Sequence, residues 1–384
     1  MSKKNVVVVV GTRPEAIKCA PIIRGLMAEE WANPVTVVTA QHRELLDKAF
    51  HDLGIKADVD LDLMRAGQSL SEITGRAFLA LEPALKSLSP DVVLAQGDTT
   101  TVMAVATVCF YLGLPFGHVE AGLRTHDIVN PFPEEFNRVV AGRIASMHFA
   151  PTQGACDALL KEGVKPQDIY LTGNTGIDTL VASKARAVQP AVQLPDGGRL
   201  ILLTSHRREN FGEPMRQAFQ GVLDVLDTHA DVQVLFPVHP NPRVVEMANA
   251  MFGDNPRIHL CAPLDYNQFV GALKAAHIVL TDSGGVQEEA PVFGKPVLVM
   301  RQETERPEAV YCGVSKLIGT RREDVFEACD DLLSNAASYA KMASGISPYG
   351  DGLAASRIIR VLADRLGVPS ALPAYAPFEV KALS

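Results

Sequence analysis

The segment VVVVVGTRPEAIK, from Val6 to Lys18, decides the fold class. Its five valines place apolar side chains on both faces, as in a strand buried inside a parallel sheet. Gly11 and Thr12 end the strand, and Thr12 with Glu15 matches the T-x-x-E pattern that opens a capped helix. A buried strand, a tight turn and a helix in this order predict the first unit of a doubly wound α/β sheet.

The turn after the valines carries two cations but no familiar nucleotide motif. It matches neither G-x-G-x-x-G nor G-x-x-x-x-G-K-[ST]. Free N–H groups at a helix N-terminus favour an anion, and Arg13 and Lys18 flank this one. We therefore predict an anion site here, with phosphate as the favoured anion. The alternative is a capped helix whose two cations are simply solvated.

The strand–helix pattern continues through two series of similar length. The polar segment between Ala182 and Gly198 separates them and is the best linker candidate. We predict an α/β protein with two Rossmann-like, doubly wound parallel-sheet domains that face a central cleft. The predicted ranges are 1–182, 183–365 and a tail at 366–384, and the last helix is a candidate to pack back on the first domain.

Composition excludes several classes of function. The 384 residues are 47% hydrophobic, and 36 Lys plus Arg against 44 Asp plus Glu give a net charge of −8. This acidity argues against general binding to nucleic acids or anionic membranes. Six scattered cysteines without a C-x-x-C pair favour a reducing cytosol, and the valine run is too short for a signal peptide or membrane span. We predict a cytoplasmic protein.

Three carboxylates follow strands or turns of the first series. Asp98 comes after the strand in DVVLAQGD, Glu120 after the strand in GHVE, and Glu134 opens the helix in PEEFNR. Because parallel strands end at one edge of a sheet, these carboxylates are expected to converge, as proton transfer requires. Taken singly, Asp98 is also explained as a helix N-cap, and Glu134 with Glu135 as charges that complement a helix dipole.

The second series has cationic side chains at two strand ends. The motif SHRRENFG places His206, Arg207 and Arg208 after a buried strand, and PVHPNP places His239 after the next. A protonated His206 would assist a leaving phosphate, and a neutral one would transfer protons.

The motif TDSGGVQEEAP is the strongest feature of the second series. Ser283, Gly284 and Gly285 lie where a strand passes into a helix, which is the arrangement of an anion cradle. Glu289 lies one turn further on and is placed to accept two ribose hydroxyls. The alternative for Ser283 is a plain N-cap. No metal-binding spacing and no G-x-S-x-G occur in the chain, so we expect neither a metal nor a serine nucleophile.

Together these segments resemble the bacterial non-hydrolysing UDP-N-acetylglucosamine 2-epimerases. The resemblance spans roughly residues 5–365 and is carried, in order, by GTRPEAIK, GDTTT, GHVEAGLRT, PEEFNR, TGNTGID, SHRRENFG, TDSGGVQEEAP, ETERPEA and SPYGDG. It implies a GT-B fold, a homodimer, and interconversion of UDP-GlcNAc and UDP-ManNAc without metal or nicotinamide. It also implies a supply of ManNAc-type precursors for surface polysaccharide.

The resemblance also assigns residues. It implies a reaction centre, UDP and sugar contacts, and a second UDP-GlcNAc site that activates the enzyme. The residues are, for the reaction centre, Asp98, Glu120, Glu134 and His206; for substrate, Arg13, Lys18, Arg138, Phe269, Ser283, Gly284, Gly285, Glu289 and Arg306; and for the activator, Gln41, Gln68, Arg207 and His239.

The expected chemistry is elimination of UDP to 2-acetamidoglucal and its re-addition. Two proton-transfer groups serve the two faces of C2, and the three carboxylates are the candidates. The rivals are a hydrolysing epimerase that releases free ManNAc plus UDP, a GT-B glycosyltransferase that uses the same donor, and a UDP-sugar sensor without turnover. The sensor is disfavoured, since binding UDP alone requires no carboxylates.

Overall fold

The computed structural model describes residues 2–39, 43–65 and 67–382. By internal contacts the chain divides into two compact units. Unit 1 comprises Met1–Thr179 and Tyr349–Glu379, and unit 2 comprises Leu180–Pro348 and Val380–Ser384.

Unit 1 contains a seven-stranded sheet in which every neighbouring pair is parallel. Its strands are β1 (Lys4–Val10), β2 (Ala32–Val38), β3 (Val59–Asp60), β4 (Val92–Gln96), β5 (Phe116–Val119), β6 (Met147–Ala150) and β7 (Ile169–Leu171). Their order, β3-β2-β1-β4-β5-β6-β7, reverses between β1 and β4. In such sheets ligands bind beyond the carboxyl ends of the strands at the reversal.

Helices connect these strands. They are α1 (Arg13–Ala28), α2 (Arg43–Leu53), α3 (Leu70–Leu88), α4 (Thr100–Leu112), α5 (Glu134–Ile144), α6 (Gln153–Lys161) and α7 (Thr175–Ser183), with a short 3-10 helix at Pro166–Asp168.

The valine run supplies the core on both faces of the first sheet. Val6, Val8 and Val10 belong to one buried cluster, whereas Val7 and Val9 belong to the cluster on the other face. All five are fully buried. The alternation follows from the two-residue period of a strand, so an unbroken apolar run is what a sheet covered on both faces requires.

Unit 2 repeats the plan with six parallel strands in the order β10-β9-β8-β11-β12-β13. The strands are β8 (Arg199–Thr204), β9 (Val232–Pro237), β10 (Ile258–Cys261), β11 (Ile278–Thr281), β12 (Val297–Val299) and β13 (Ser315–Leu317). The reversal here lies between β8 and β11. The predicted class, two doubly wound parallel sheets, is confirmed.

The second series of helices follows the same alternation. These are α8 (Glu213–Thr228), α9 (Pro242–Phe252), α10 (Tyr266–Ala275), α11 (Gly284–Glu289), α12 (Pro307–Tyr311), α13 (Arg322–Ser334) and α14 (Ala336–Met342), with 3-10 helices at Lys184–Arg186, Arg208–Asn210 and Ala290–Phe293. A two-stranded antiparallel pair joins β14 (Ile346–Ser347) to β15 (Lys381–Ala382).

The last helix, α15 (Ala354–Leu366), counts with unit 1 although the chain reaches it after unit 2. Its buried face adds Ile358 and Leu362 to the core beneath α1. The Asp178 carboxylate accepts the N–H groups of Ala354 at 3.2 Å and Ala355 at 2.8 Å, which caps the helix from another part of the chain. The range 183–365 predicted for the second domain therefore differs from unit 2 at this helix.

Across the described residues, no helix combines the length and apolar character needed to span a membrane.

Candidate active site

The turn after β1 is closed by the Glu15 carboxyl group. Thr12 Oγ accepts the Glu15 N–H at 3.4 Å, and Glu15 Oε2 accepts the N–H groups of Gly11 at 2.5 Å and Thr12 at 3.3 Å. The predicted capping box is thereby confirmed. Arg13, the first residue of α1, is half-buried beside it.

The same turn is tightly packed against neighbouring strand ends. A Cβ atom added to Gly11 would lie 2.8 Å from the hydroxyls of both Thr39 and Thr101, so glycine is required for this approach. Glu15 is enclosed in this environment, and its burial raises its pKa to about 7. The turn at which an anion site is predicted therefore contains a buried carboxyl group with a pKa near neutral.

Glu120 lies at the carboxyl end of β5 and contacts donors from other parts of unit 1. Its side chain contacts the Lys18 ammonium and the Gln96 amide, and it accepts a hydrogen bond from Asn174 Nδ2 at 2.9 Å. Its φ angle of +64° lies in the left-handed region, which is costly for a residue with a Cβ atom. The fold thus holds Glu120 in a strained position and joins two predicted site residues, Lys18 and Glu120.

Asp98 follows β4 and is bound by two side chains of α5, those of Arg138 and Asn137. Its Oδ2 accepts from Arg138 Nη2 at 2.7 Å and Nε at 3.0 Å, and its carbonyl accepts from Asn137 Nδ2 at 2.8 Å. The N-cap of α4 is Thr99, whose hydroxyl accepts the Val102 N–H at 3.4 Å. The alternative that Asp98 is a plain N-cap is therefore wrong, and its carboxylate is committed to Arg138.

The first turn of α5 contains two glutamates in different surroundings. Glu134 is half-buried at the first helical position. Glu135 is buried: its Oε2 accepts from Arg138 Nη1 at 3.0 Å, and its Oε1 accepts the Thr125 and His126 N–H groups at 3.0 and 3.1 Å. The sequence alone explains both glutamates in the same way, as charges that complement the helix dipole, and does not tell them apart. The spacing of Glu135 and Arg138, three residues apart, was the available signal for the pair.

His118 connects the ends of β4 and β5. Its Nε2–H donates to the Gly97 carbonyl at 2.7 Å, and burial lowers its pKa to about 4, so the ring is neutral at pH 7. A Cβ atom added to Gly97 would lie 3.8 Å from Glu120 Oε2. The segment that carries Asp98 therefore adjoins Glu120.

In unit 2, Asp282 organises the loop after β8. The fully buried carboxylate accepts four kinds of donor, which are Ser205 Oγ at 2.9 Å, the His206 N–H at 3.0 Å, the Arg207 N–H at 3.1 Å and Asn210 Nδ2 at 3.2 Å. Burial opposes the charge of Asp282, but the contacts from His206, Arg207 and Ser205 lower its pKa overall. This carboxylate was not predicted as a site residue, since its donors lie more than 70 positions away.

His206 is oriented by the same carboxylate. Its Nδ1 lies 3.2 Å from Asp282 Oδ1, and 37% of its side chain is exposed. Its ring stacks on that of His239, with centroids 5.6 Å apart and planes inclined by 22°. Burial and the nearby His206 lower the pKa of His239. Two predicted site residues are thus brought together.

The Ser-Gly-Gly segment begins α11 after β11. Ser283 occupies the N-cap position, but its hydroxyl caps none of the described helix N–H groups, so the plain N-cap interpretation is wrong. A Cβ atom on Gly284 would lie 2.8 Å from Arg306 Cζ, so glycine lets the guanidinium approach the start of the helix. Arg306 Nε donates to the buried Glu288 at 2.9 Å, and Glu289 is half-buried one position later.

The remaining predicted residues are more scattered. Phe269 is half-buried against the core of unit 2. Gln68 accepts from Arg76 Nη1 at 3.4 Å. The Nε of Arg207 is buried and has no hydrogen-bond partner within the part of the chain that the structure describes. Gln41 lies outside the described residues.

Within residues 2–39, 43–65 and 67–382, no group of three or more His, Cys, Asp or Glu side chains is placed to hold a metal ion.

Comparison with known proteins decides the family. The model of the family described as UDP-N-acetylglucosamine 2-epimerase matches residues 24–363. The chain belongs to this family. The predicted resemblance is thereby confirmed.

Relatives of this epimerase family match nearly the whole chain. The Bacillus subtilis (strain 168) UDP-N-acetylglucosamine 2-epimerase is 47% identical over 363 residues, covering 94% of this chain and 96% of its own length. The Escherichia coli (strain K12) protein of the same name is 44% identical over 370 residues, covering 93% and 98%.

A solved structure agrees with the fold. The UDP-GlcNAc 2-epimerase from Neisseria meningitidis, bound to UDP-GlcNAc, superposes with a TM-score of 0.88 at 40% identity. The match covers 94% of this chain and all of that chain. The expected GT-B-like class is confirmed by such neighbours.

Proposed function

We propose that this protein interconverts UDP-N-acetylglucosamine and UDP-N-acetylmannosamine by inversion at C2, without hydrolysis. The observation that carries the proposal is the pairing of Glu120 with Lys18 and of Asp98 with Arg138 at adjoining strand ends. Carboxylates paired with cations at the edge of a sheet supply both proton transfer and charge stabilisation. Membership of the epimerase family supports the same reaction.

The reaction proceeds by elimination and re-addition. A base removes the C2 proton, the C–H electrons form a C1–C2 double bond, and the C1–O electrons leave with UDP. The product of this step is 2-acetamidoglucal. UDP oxygen then adds back to C1 while an acid delivers a proton to the opposite face of C2. Two faces therefore require two proton-transfer groups.

The residues of unit 1 provide these groups. Asp98, Glu120 and Glu134 are the proposed proton-transfer carboxylates. Lys18 and Arg138 hold two of them in place, and Arg13 stabilises negative charge on the departing diphosphate. In unit 2, His206 is likewise proposed to stabilise negative charge on the departing diphosphate.

UDP is proposed to bind to unit 2. Ser283, Gly284 and Gly285 provide N–H groups at the start of α11, and Arg306 lies against Gly284. Glu289 accepts the ribose hydroxyls, and Phe269 lies near the uracil. The bound substrate of the Neisseria meningitidis relative supports a nucleotide-sugar ligand.

A second UDP-GlcNAc is proposed to activate the enzyme through Gln41, Gln68, Arg207 and His239. The buried Nε of Arg207 has no hydrogen-bond partner among the described residues, which supports an anionic ligand there, because a buried donor without a partner is costly.

The protein is proposed to act as a cytoplasmic homodimer that supplies precursors for surface polysaccharide. Six free cysteines support a reducing compartment. Leu79 on α3 and Phe110 and Tyr111 on α4 are 79%, 67% and 72% exposed, and these two helices pack together. Exposed apolar side chains on neighbouring helices support association. Sedimentation equilibrium at the mass of one chain would contradict it.

The deciding experiment is turnover in D2O, starting from UDP-GlcNAc. The UDP-ManNAc formed should carry deuterium at C2, because the proposed acids exchange with solvent before re-addition. A trace of 2-acetamidoglucal and UDP should accumulate at long times. Stoichiometric free ManNAc would favour the hydrolysing epimerase, GlcNAc transfer to an acceptor would favour the glycosyltransferase, and binding without turnover would favour the sensor.

The same assay run from pure UDP-ManNAc tests the activator site. Turnover should be slow until a trace of UDP-GlcNAc is added. Full-rate turnover from the first moment would contradict the proposed activation.

A further inference from the structure

Glu135 occupies the buried end of a three-residue ion network. Exposure of the side chains falls from 30% at Asp98 to 8% at Arg138 and 2% at Glu135. The Arg138 guanidinium presents Nε and Nη2 to Asp98 and Nη1 to Glu135. Because a guanidinium is a rigid planar fork, fixing one edge on Glu135 fixes the edge that faces Asp98.

We propose that Glu135 is a positioning residue for the epimerisation. Its carboxylate holds Arg138 against Asp98 and also accepts the N–H groups of Thr125 and His126. The proposal rests on the proposed function, in which Asp98 transfers a proton.

The charge balance explains why a second carboxylate is needed behind Arg138. One cation is shared between two carboxylates, so the network carries a net charge of −1. Burial disfavours the charge on Arg138, but Asp98 and Glu135 together raise its pKa. Without Glu135, the guanidinium would lose its contact at Nη1 and would be oriented from the Asp98 side alone.

The second oxygen of Glu135 acts on the backbone. Oε1 accepts the N–H groups of Thr125 and His126, and His126 has a φ angle of +65°. Thr125 Oγ in turn donates to the Asn130 carbonyl at 2.5 Å. One side chain therefore sets both the guanidinium at Asp98 and the start of the segment 125–130. Displacements of about 1 Å in such supports are enough to cost about 100-fold in rate.

The test replaces Glu135 by Gln, which keeps the size and one acceptor oxygen but removes the charge. We expect kcat for UDP-GlcNAc to fall by about 10- to 100-fold, with KM and the affinity for UDP within about threefold of wild type. Wild-type kcat in E135Q would overturn the proposal.

The matched control is Glu162→Gln. Glu162 also binds an arginine through two contacts, at 2.7 and 2.9 Å, and that arginine, Arg124, is 2% exposed. E162Q removes another ion pair to a buried arginine of the same unit, although the Glu162 side chain itself is 26% exposed, and none of its described contacts is with Asp98 or Arg138. Its kcat should stay within about twofold of wild type. Equal losses of kcat in E135Q and E162Q would mean a general structural effect and overturn the proposal.

A double-mutant cycle with Arg138→Gln separates positioning from fold maintenance. If Glu135 acts through Arg138, E135Q should lower kcat by no more than about twofold in the R138Q background. If E135Q lowered kcat by the same factor in the wild-type and R138Q backgrounds, Glu135 would not act through Arg138 and the proposal would be overturned.

Two further variants cover failure of folding and failure of the underlying assignment. If E135Q does not fold, Glu135→Asp keeps the charge but cannot reach both Arg138 and the Thr125 N–H, so its kcat should fall by about tenfold. Wild-type kcat in E135D would overturn the proposal. Near-normal turnover in Asp98→Asn would overturn the assignment of Asp98 itself, whereas an inactive D98N with a normal E135Q would overturn only the role of Glu135.

Discussion

The two parallel sheets share the order of six strands, but the pKa values of two buried carboxyl groups in each unit are shifted in opposite directions. In unit 1, burial raises the pKa values of Glu15 and Asp178 to about 7. In unit 2, burial is outweighed: contacts from Arg301 and Arg306 lower the pKa of Glu305 to about 2, and those from His206 lower that of Asp282. The strand order determines at which sheet edge a ligand site is expected. The groups that contact each buried carboxyl group determine the direction in which its pKa shifts.

The partners explain the difference. Glu15 and Asp178 accept mainly backbone N–H groups, which do not offset the desolvation of a buried charge. Glu305 lies 2.8 Å from Arg301, whose positive charge does offset it. Unit 1 therefore contains carboxyl groups that titrate near neutral pH, whereas unit 2 keeps fixed negative charges that orient its cations.

The largest expected effect tests the carboxylates of unit 1 that are proposed to transfer protons. Asp98→Asn or Glu120→Gln should lower kcat at least ~100-fold, the lower range for general acid–base catalysis, with UDP affinity retained. Asp91→Asn is the matched control. Asp91 lies just before the same strand, β4, and its carboxylate pairs with Lys4 Nζ at a distance of 2.9 Å, at the opposite end of the strand from Asp98. Steady-state kinetics showing normal kcat in both D98N and E120Q would contradict the assignment of proton transfer to this edge of the first sheet.

The next effect concerns the pH dependence of stability. The folded pKa of Glu15 lies above its ordinary value of 4.5, so its stabilising contribution is complete below pH 4.5 and is lost as pH rises to about 7. Relative to Glu15→Gln, the wild type should lose about 3 kcal/mol of unfolding free energy across this window, at about 1.4 kcal/mol per pKa unit.

Urea unfolding at several pH values measures this difference. Asp178 is present in both proteins, so its own titration cancels. If the unfolding free energies of wild type and E15Q changed in parallel with pH, Glu15 would be ionised in the folded protein, as the carboxylates of unit 2 are.

The smallest expected effect tests the nucleotide side. Glu289→Ala should weaken UDP binding by about 1.5–3 kcal/mol, the range for hydrogen bonds to a charged group. Glu246→Ala on α9 is the control, because Glu246 is an exposed glutamate of the same unit. Calorimetry that returns equal affinities for the two variants would place the ribose contact elsewhere.

Much of the local structure was predictable because its causes are local. The valine run with T-x-x-E predicted β1, the turn and the capped start of α1, since strand period and capping depend on residues within a few positions. The strand ends likewise placed Asp98, Glu120, His206 and Ser283 at sheet edges.

The contacts of those residues were decided only by the tertiary structure. Glu120 meets Gln96 and Asn174, which are 24 and 54 positions away, and Asp98 meets Arg138 across 40 positions. The choice of Glu135 over Glu134 as the buried partner depends on which way α5 faces, and Asp282 became the centre of a loop that begins 77 residues earlier.

The sequence by itself therefore determined the fold class, the family and the positions of the candidate site residues, because strand and helix signals and ordered motifs lie along the chain. The tertiary structure alone decided which carboxyl groups meet cations and which meet only backbone N–H groups. The physical reason is that desolvation and pairing act through space, between side chains that the fold brings together from distant positions.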